Sequence, residues 1–301
     1  MEAILAEIQR NDWGQVLLQE PLAKHTTWKI GGPADCLIIP RGKDQLVSTI
    51  LLLKEHGIPW TSLGRGSNML VSDKGIRGVV IKTGAGLDYA RFEGATVVAG
   101  AGYSFIKLAV MAGKEGLTGL EFAGGIPGTV GGAVYMNAGA HGSDVSRIFK
   151  SAVIVRETGE LVTYGPEDMA FTYRHSVLHE ERGIVVEATF ELAEGNRSEI
   201  ESVMAAYKER RLNTQPLQLA CAGSVFRNPA GDFAARLIQE AGLKGLRVGA
   251  AEVSQQHANF IVNTGQAKAE DVLTLMAQIK RTVNERYGIE LVPEVLVVGE
   301  R

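Results

Sequence analysis

The stretch Gly119-Leu-Glu-Phe-Ala-Gly-Gly-Ile-Pro-Gly-Thr-Val-Gly-Gly-Ala-Val-Tyr-Met-Asn-Ala-Gly-Ala-His-Gly142 decides the fold. Eight of its 24 residues are glycine, Glu121 is its one acid, and it has no lysine or arginine. Backbone rather than side chains must be its working surface. Glycine costs conformational entropy on folding, so packing it this densely serves positive φ angles or a ligand lying directly against peptide N–H groups. A phosphate or a flat ring system fits that description; a glycine-rich solenoid turn or a tight core corner fits it as well. A second loop, Leu63-Gly-Arg-Gly-Ser-Asn-Met-Leu70, follows an apolar strand candidate at Ile58 to Leu63. It sets Gly64, Arg65, Gly66, Ser67 and Asn68 side by side, a composition that suits a pyrophosphate.

Working outward from these loops, Ile4, Leu5 and Ile8 have helical spacing within residues 2–10, before Trp13-Gly14. Gly31-Gly32-Pro33 turns into a short strand ending at Pro40, and Lys43 to His56 forms a helix stopped by Gly57. From Gly75 to Gly102 the β-rich runs Val79 to Ile81 and Thr96 to Ala99 predict a new sheet. Tyr103 to Lys114 returns to helical spacing. Beyond the glycine stretch, Ala152 to Val155, Leu161 to Tyr164 and Ile184 to Leu192 read as strands. Glu194-Gly-Asn-Arg-Ser198 is the best boundary candidate, followed by a helix with Ile200, Val203, Met204 and Tyr207 on one face. A helix N-capped by Asp232 and closed at Gly242, a longer one from Glu270 to Tyr287, and a last strand from Leu291 to Val298 complete the reading.

Bulk properties narrow the function. At 301 residues with 45% hydrophobic content there is ample material for a sizeable core. A net charge of −3 argues against a general polyanion binder, and nucleic acid is not expected as a partner. Cys36 and Cys221 are far apart and lack CxxC spacing, so both are expected as free thiols, with no metal site. The N-terminus lacks a signal-type apolar core and no run reaches spanning length, so the expectation is a cytoplasmic protein with no membrane partner.

Three local anomalies stand out. Glu294 interrupts the apolar run Leu291 to Val298, where an acid carries a desolvation cost unless partnered; it can equally face solvent on an alternating strand. Ala222-Gly-Ser-Val-Phe-Arg-Asn-Pro229 places a hydroxyl after glycine, then a cation and an amide, without the second glycine of a hydrolase elbow. Ser224 can therefore be a helix cap and nothing more. Phe171-Thr-Tyr-Arg-His-Ser176 is a polar cluster behind an apolar anchor.

Taken in series, His25 to Ala34, Gly64 to Leu70, Gly124 to Gly132, Asn137-Ala-Gly139, Tyr173-Arg174, Ala222 to Pro229 and Pro293-Glu294-Val295 closely resemble the UDP-N-acetylenolpyruvoylglucosamine reductase family. The match runs from about residue 20 to the C-terminus. The resemblance implies an α+β fold: a two-lobed FAD-binding domain of the vanillyl-alcohol-oxidase-like type and a C-terminal α+β substrate-binding domain. The domains are placed at 1–195 (lobes about 1–74 and 75–195) and 196–301, with strand 291–298 returning to the FAD lobe. Only Ala193 to Ser198 separates the last strand of that lobe from the next helix. The resemblance is thus to the shorter family form, which lacks a loop bearing a substrate-clamping tyrosine.

The resemblance also implies roles. Non-covalent FAD lies along Gly64, Arg65, Gly66, Ser67 and Asn68, along Gly124, Gly125, Ile126, Pro127, Gly128, Gly131 and Gly132, and near Ala138 and Gly139. NADPH reduces it, and hydride then passes to the enolpyruvyl ether of a UDP-sugar in peptidoglycan precursor synthesis. Arg174 and Glu294 hold and polarise the substrate carboxylate, and Ser224 donates the proton. Asn228, Arg211 and Gln215 lie near the diphosphate or uridine; Tyr173 is a ligand or a packing residue. A monomer or weak oligomer is expected. Two rivals stay open at this point: an FAD-dependent hydroxy-acid oxidase or dehydrogenase on the same fold, and a flavin-free nucleotide-sugar binding module.

Overall fold

The structure, a computed structural model, describes residues 2–300. The chain divides into two compact units. The first takes the chain to Leu18 with Cys36–Arg65 and Gly78–Glu209, and the second takes Gln19–Asp35, Gly66–Arg77 and the chain from Arg210.

In the first unit helix α1 (Glu2–Arg10) buries Ile4, Leu5 and Ile8, as their spacing requires. Helix α2 (Lys43–Glu55) buries Leu46, Ile50 and Leu53 and ends where Gly57 takes φ +62°. The unit carries most of a four-stranded sheet in the order Gly14–Pro21, Pro33–Pro40, Ile76–Lys82, Trp60–Leu63. Val79 to Ile81 was expected to open a new sheet with Thr96 to Ala99, and this expectation is corrected. Ile76–Lys82 pairs parallel with Trp60–Leu63, Trp60 opposite Val79. Val79, Val80 and Ile81 are all fully buried, the signature of an inner strand covered on both faces rather than the alternation of a half-exposed one.

A second sheet is antiparallel throughout, in the order Leu161–Tyr164, Phe149–Arg156, Gly183–Glu191, Thr96–Gly100, Ala90–Glu93. Helix α3 (Phe105–Lys114) is capped by Ser104, whose side chain accepts from the Lys107 N–H at 3.3 Å. Helix α4 (Val130–Tyr135) lies within the glycine-rich stretch, and α5 (Pro166–Met169) is a single turn. Helix α6 (Arg197–Thr214) departs from expectation. It buries Ile200, leaves Met204 and Tyr207 half-buried and turns Val203 outward, so its apolar face is narrower than the spacing suggests.

The second unit packs α7 (Ala234–Glu240), α8 (Ala269–Tyr287) and the antiparallel strands Arg247–Val248, Ala251–Val253 and Ile261–Asn263 around one core. Val272, Leu275, Met276, Ile279 and Val283 bury the inner face of α8, and Gly288 at φ +67° ends it. Its first turn is capped from a distance: the Asp73 carboxylate accepts from the Ala269 N–H at 2.8 Å and the Glu270 N–H at 3.1 Å. Trp28 is fully buried and donates its indole N–H to the Ile261 carbonyl at 2.7 Å.

Two end signals differ from the sequence reading. Asp232 is not the N-cap of α7; Phe233 holds that position, and Asn228 Oδ1 accepts from the Ala234 N–H at 3.1 Å. Asp232 is drawn instead to the Arg236 guanidinium. The last strand is only Leu296–Val298, parallel to Met69–Val71, because Pro293 has no N–H to give a ladder. No helix among the described residues is long and apolar enough to cross a membrane.

Candidate active site

The glycine-rich stretch resolves into a 3-10 turn at Glu121–Gly125, a loop through Ile126, Pro127 and Gly128, and α4 with Thr129 as its cap. Much of its glycine serves packing. A Cβ on Gly131 would come within 2.8 Å of Ala101 Cβ, and one on Gly64 within 2.7 Å of Thr129 Oγ1. The two loops that the sequence assigns to one ligand therefore meet at Thr129. Gly139 is held in a small hairpin, where a Cβ would lie 2.5 Å from the Ser143 carbonyl oxygen.

Gly132 is different. It is exposed and helical, and a Cβ there would meet only Thr129 Oγ1 at 3.5 Å. Packing makes no demand for glycine at this position, and its bare face leaves room for close approach of a flat ligand. The first N–H groups of α4 are already used: Val130 donates to Tyr103 O and Gly131 to Ala101 O, both at 2.9 Å, and Gly132 donates to Thr129 Oγ1 at 3.3 Å. The α4 N–H groups are thus engaged within the protein, and the Gly132 face is open for a cofactor to lie against. The residues fit a flavin nucleotide on these grounds.

Arg174 sits in the same unit, in a two-residue turn closed by Thr172 and His175, whose N–H groups each donate to the other's carbonyl at 3.1 Å. Arg174 holds φ +57°, unusual for a residue with a side chain and costly enough to point to function. Its guanidinium donates to the Gly139 carbonyl at 2.7 Å and lies 4.9 Å from the Tyr173 ring centroid. Tyr173 is exposed. The turn is tied back to the end of α4 from both sides: Asn137 Nδ2 donates to the Thr172 carbonyl at 2.9 Å, and Ser176 Oγ to the Tyr135 carbonyl at 2.7 Å.

Ser224 and Glu294 belong to the second unit, where the segments that carry them pair through the main chain. Phe226 bridges antiparallel to Pro293, and the Glu294 N–H donates to the Val225 carbonyl at 2.8 Å. The Asn68 side chain donates to the Glu294 carbonyl at 3.1 Å, while the Asn68 carbonyl accepts from the Leu296 N–H at 2.9 Å. Asn68 therefore fixes the main chain of the acid. Gly66, at φ +65°, is pinned because a Cβ would meet His25 O at 2.3 Å. Ser67 and Arg65 flank it, with Arg65 exposed. Sequence reasoning missed Asn259. Buried, it accepts from the Phe226 N–H at 3.0 Å through Oδ1 and donates to the Phe226 carbonyl at 2.8 Å through Nδ2, clamping the segment that carries Ser224.

Arg211 and Gln215 stand one helical turn apart at the end of α6. Burial pushes the Arg211 guanidinium below its ordinary pKa, with the Cys221 thiol opposing, and no carboxylate among the described residues pairs with it. Gln215 Oε1 is buried without a hydrogen-bond partner. A desolvated cation is what an anionic group would complete, and the Gln215 oxygen, an acceptor, calls instead for a ligand N–H or O–H. Asn228, by contrast, already spends Oδ1 on α7 and is exposed.

Residues 215–298 match the UDP-N-acetylenolpyruvoylglucosamine reductase C-terminal domain, and residues 34–165 match an FAD binding domain. The UDP-N-acetylenolpyruvoylglucosamine reductase of Bacillus licheniformis is 51% identical over 302 residues, covering 100% of both chains. The chain belongs to this reductase family. The Bacillus subtilis reductase is 50% identical over 300 residues, 99% of each chain. The crystal structure of the family's enzyme from Thermus caldophilus superposes with a TM-score of 0.81 at 38% identity, covering 94% of this chain and 98% of that one. Berberine bridge enzyme from Eschscholzia californica shares the fold alone, with a TM-score of 0.51 and 14% identity over 64% of this chain and 44% of that one. The fold is the α+β class expected, an FAD-binding part of vanillyl-alcohol-oxidase-like type joined to the family's C-terminal domain.

Proposed function

We propose that this chain reduces the enolpyruvyl ether of UDP-N-acetylenolpyruvoylglucosamine to UDP-N-acetylmuramate with NADPH, in peptidoglycan precursor synthesis. Residues 1–195 serve FAD and residues 196–301 the UDP-sugar, in a cytoplasmic protein that is a monomer or weak oligomer. The observation that supports the reading is the main-chain pairing of the segment bearing Ser224 with the segment bearing Glu294, through the Glu294 N–H to Val225 carbonyl bond. The site offers donors, where an oxidase of hydroxy acids needs a base to take a proton.

FAD, when bound, would supply the hydride, drawn from NADPH, for the terminal alkene carbon. The Gly132 face and the loops Gly124 to Gly128, Gly64 to Asn68 and Ala138-Gly139 would hold it without a covalent bond. Hydride addition to the enolpyruvyl group builds negative charge into the substrate carboxylate. Arg174, as a planar donor fork, holds that carboxylate, and a protonated Glu294 supplies a second donor to the developing charge. Ser224 Oγ gives its proton to the ether-bearing carbon, a transfer that a hydroxyl makes only to a strongly basic, carbanion-like centre. Arg211 and Gln215 hold the diphosphate or uridine, with Asn228 and Tyr173 nearby. Incubation with NADPH and UDP-N-acetylenolpyruvoylglucosamine tests the reading: UDP-N-acetylmuramate should appear in step with NADPH consumed, and its absence from active, yellow protein would overturn it.

A further inference from the structure

A buried carboxamide lies directly behind the turn that carries Arg174. Asn137 is nearly inaccessible and holds φ +42°, a left-handed conformation that asparagine tolerates better than other residues with a side chain. Both ends of its side chain are engaged. Nδ2 donates to the Thr172 carbonyl at 2.9 Å, and Oδ1 accepts from the Ser146 N–H at 3.0 Å. Thr172 is the residue whose N–H and carbonyl close the Tyr173-Arg174 turn against His175. The carboxamide thus ties the hinge of that turn to the Ser146 main chain, while two residues on, Gly139 supplies the carbonyl that receives the Arg174 guanidinium.

We infer that Asn137 is the positioning residue for Arg174, setting where the guanidinium meets the substrate carboxylate. The inference rests on the reading of Arg174 as the holder of that carboxylate. Two features favour positioning over simple core filling. A buried polar side chain costs stability unless paired, and an apolar residue would fill the space without that cost. The turn that the carboxamide ties down also holds an unfavourable conformation, Arg174 at φ +57°, which needs its surroundings to keep it.

Two variants separate the roles. Asn137→Gly accepts φ +42° without strain and removes only the carboxamide; Asn137→Asp keeps the shape and the acceptor for Ser146 but, ionised, cannot donate to Thr172. Binding of UDP-N-acetylmuramate to the FAD-loaded protein is measured by calorimetry beside UDP-N-acetylglucosamine, which lacks the carboxylate. Both variants should weaken the first ligand about tenfold and leave the second unchanged. The substrate half-reaction should slow roughly tenfold to a hundredfold, the scale of a misplacement near 1 Å. In an Arg174→Ala background the Asn137 substitutions should add nothing.

Equal weakening of both ligands, or losses that add fully to those of Arg174→Ala, would make Asn137 structural and overturn the inference. Should Asn137→Gly fail to fold, Asn137→Asp carries the same comparison. If Arg174→Ala itself leaves UDP-N-acetylmuramate affinity intact, the reading of Arg174 falls. If Arg174→Ala weakens it and the Asn137 variants do not, the positioning claim falls alone.

Discussion

Replacing Ser224 with alanine removes one oxygen and, in this fold, little else. The segment is held on both sides: the Val225 carbonyl accepts from the Glu294 N–H at 2.8 Å, the Val225 N–H donates to Asn259 O at 2.9 Å, and the Asn259 side chain clamps Phe226 at 3.0 and 2.8 Å. Ser224 Oγ makes no hydrogen bond among the described residues, so the stability change should stay within about 0.5 kcal/mol. The chemical loss should be far larger. A positioned general acid contributes roughly a hundredfold to ten-thousandfold. At 1.36 kcal/mol per decade that is about 2.7 to 5.4 kcal/mol of barrier, and it acts in one half-reaction only. Stopped-flow measurement of each half-reaction is the assay. Reduction of the flavin by NADPH should run at close to the wild-type rate, and its oxidation by the enolpyruvyl substrate should slow by that factor. Ser224→Cys, with a more acidic proton, should recover part of the loss. Equal slowing of both steps would mean that Ser224 shapes the site, and wild-type speed in both would refute proton donation altogether.

Glu294→Gln should keep more activity than Glu294→Ala, because the amide still donates one hydrogen bond to the developing charge; steady-state rates decide, with equal losses pointing to a structural acid. Acid precipitation should release all the yellow colour into the supernatant, since neither Cys36 nor Cys221 lies in a glycine loop; colour kept in the pellet would show a covalent bond. Asp232 is lowered from its ordinary 3.8 to about 2, by the Arg236 side chain first and the Phe233 N–H second. A depressed acid adds stability that is present above its unfolded value and lost as pH falls through the folded one. The melting temperatures of wild type and Asp232→Asn should therefore differ slightly near neutrality and converge between about pH 4 and pH 2; a gap that persists below pH 2 would place the effect elsewhere.

Helices were legible wherever local signals agreed. The apolar spacing and closing glycines of α2 and α8 predict elements that the structure reproduces to within a residue. Where one residue answers to a distant one, the sequence is silent. Asp73 caps α8 across 196 residues, Asn259 clamps Phe226 across 33, and Asn68 fixes Glu294 across 226. The failed cap at Asp232 has the same origin, since Arg236 competes for a carboxylate that local preference assigns to the helix. The glycine-rich stretch was legible as a backbone surface, but composition cannot separate Gly131, which lets α4 approach Ala101, from Gly132, which packing leaves open. Ser224 and Glu294 each stood out as anomalies. Only the family resemblance joined them in one reaction, because 70 residues separate them in the chain and the bond that pairs their segments runs through Val225.

The central claim is that a single flavin links NADPH to the enolpyruvyl ether. Anaerobic addition of stoichiometric NADPH to the yellow protein should bleach the flavin's visible absorption. Stoichiometric UDP-N-acetylenolpyruvoylglucosamine should then restore it, with UDP-N-acetylmuramate formed in equal amount. Bleaching that the enolpyruvyl substrate fails to reverse, or that a simple hydroxy acid's keto product reverses instead, would contradict the account.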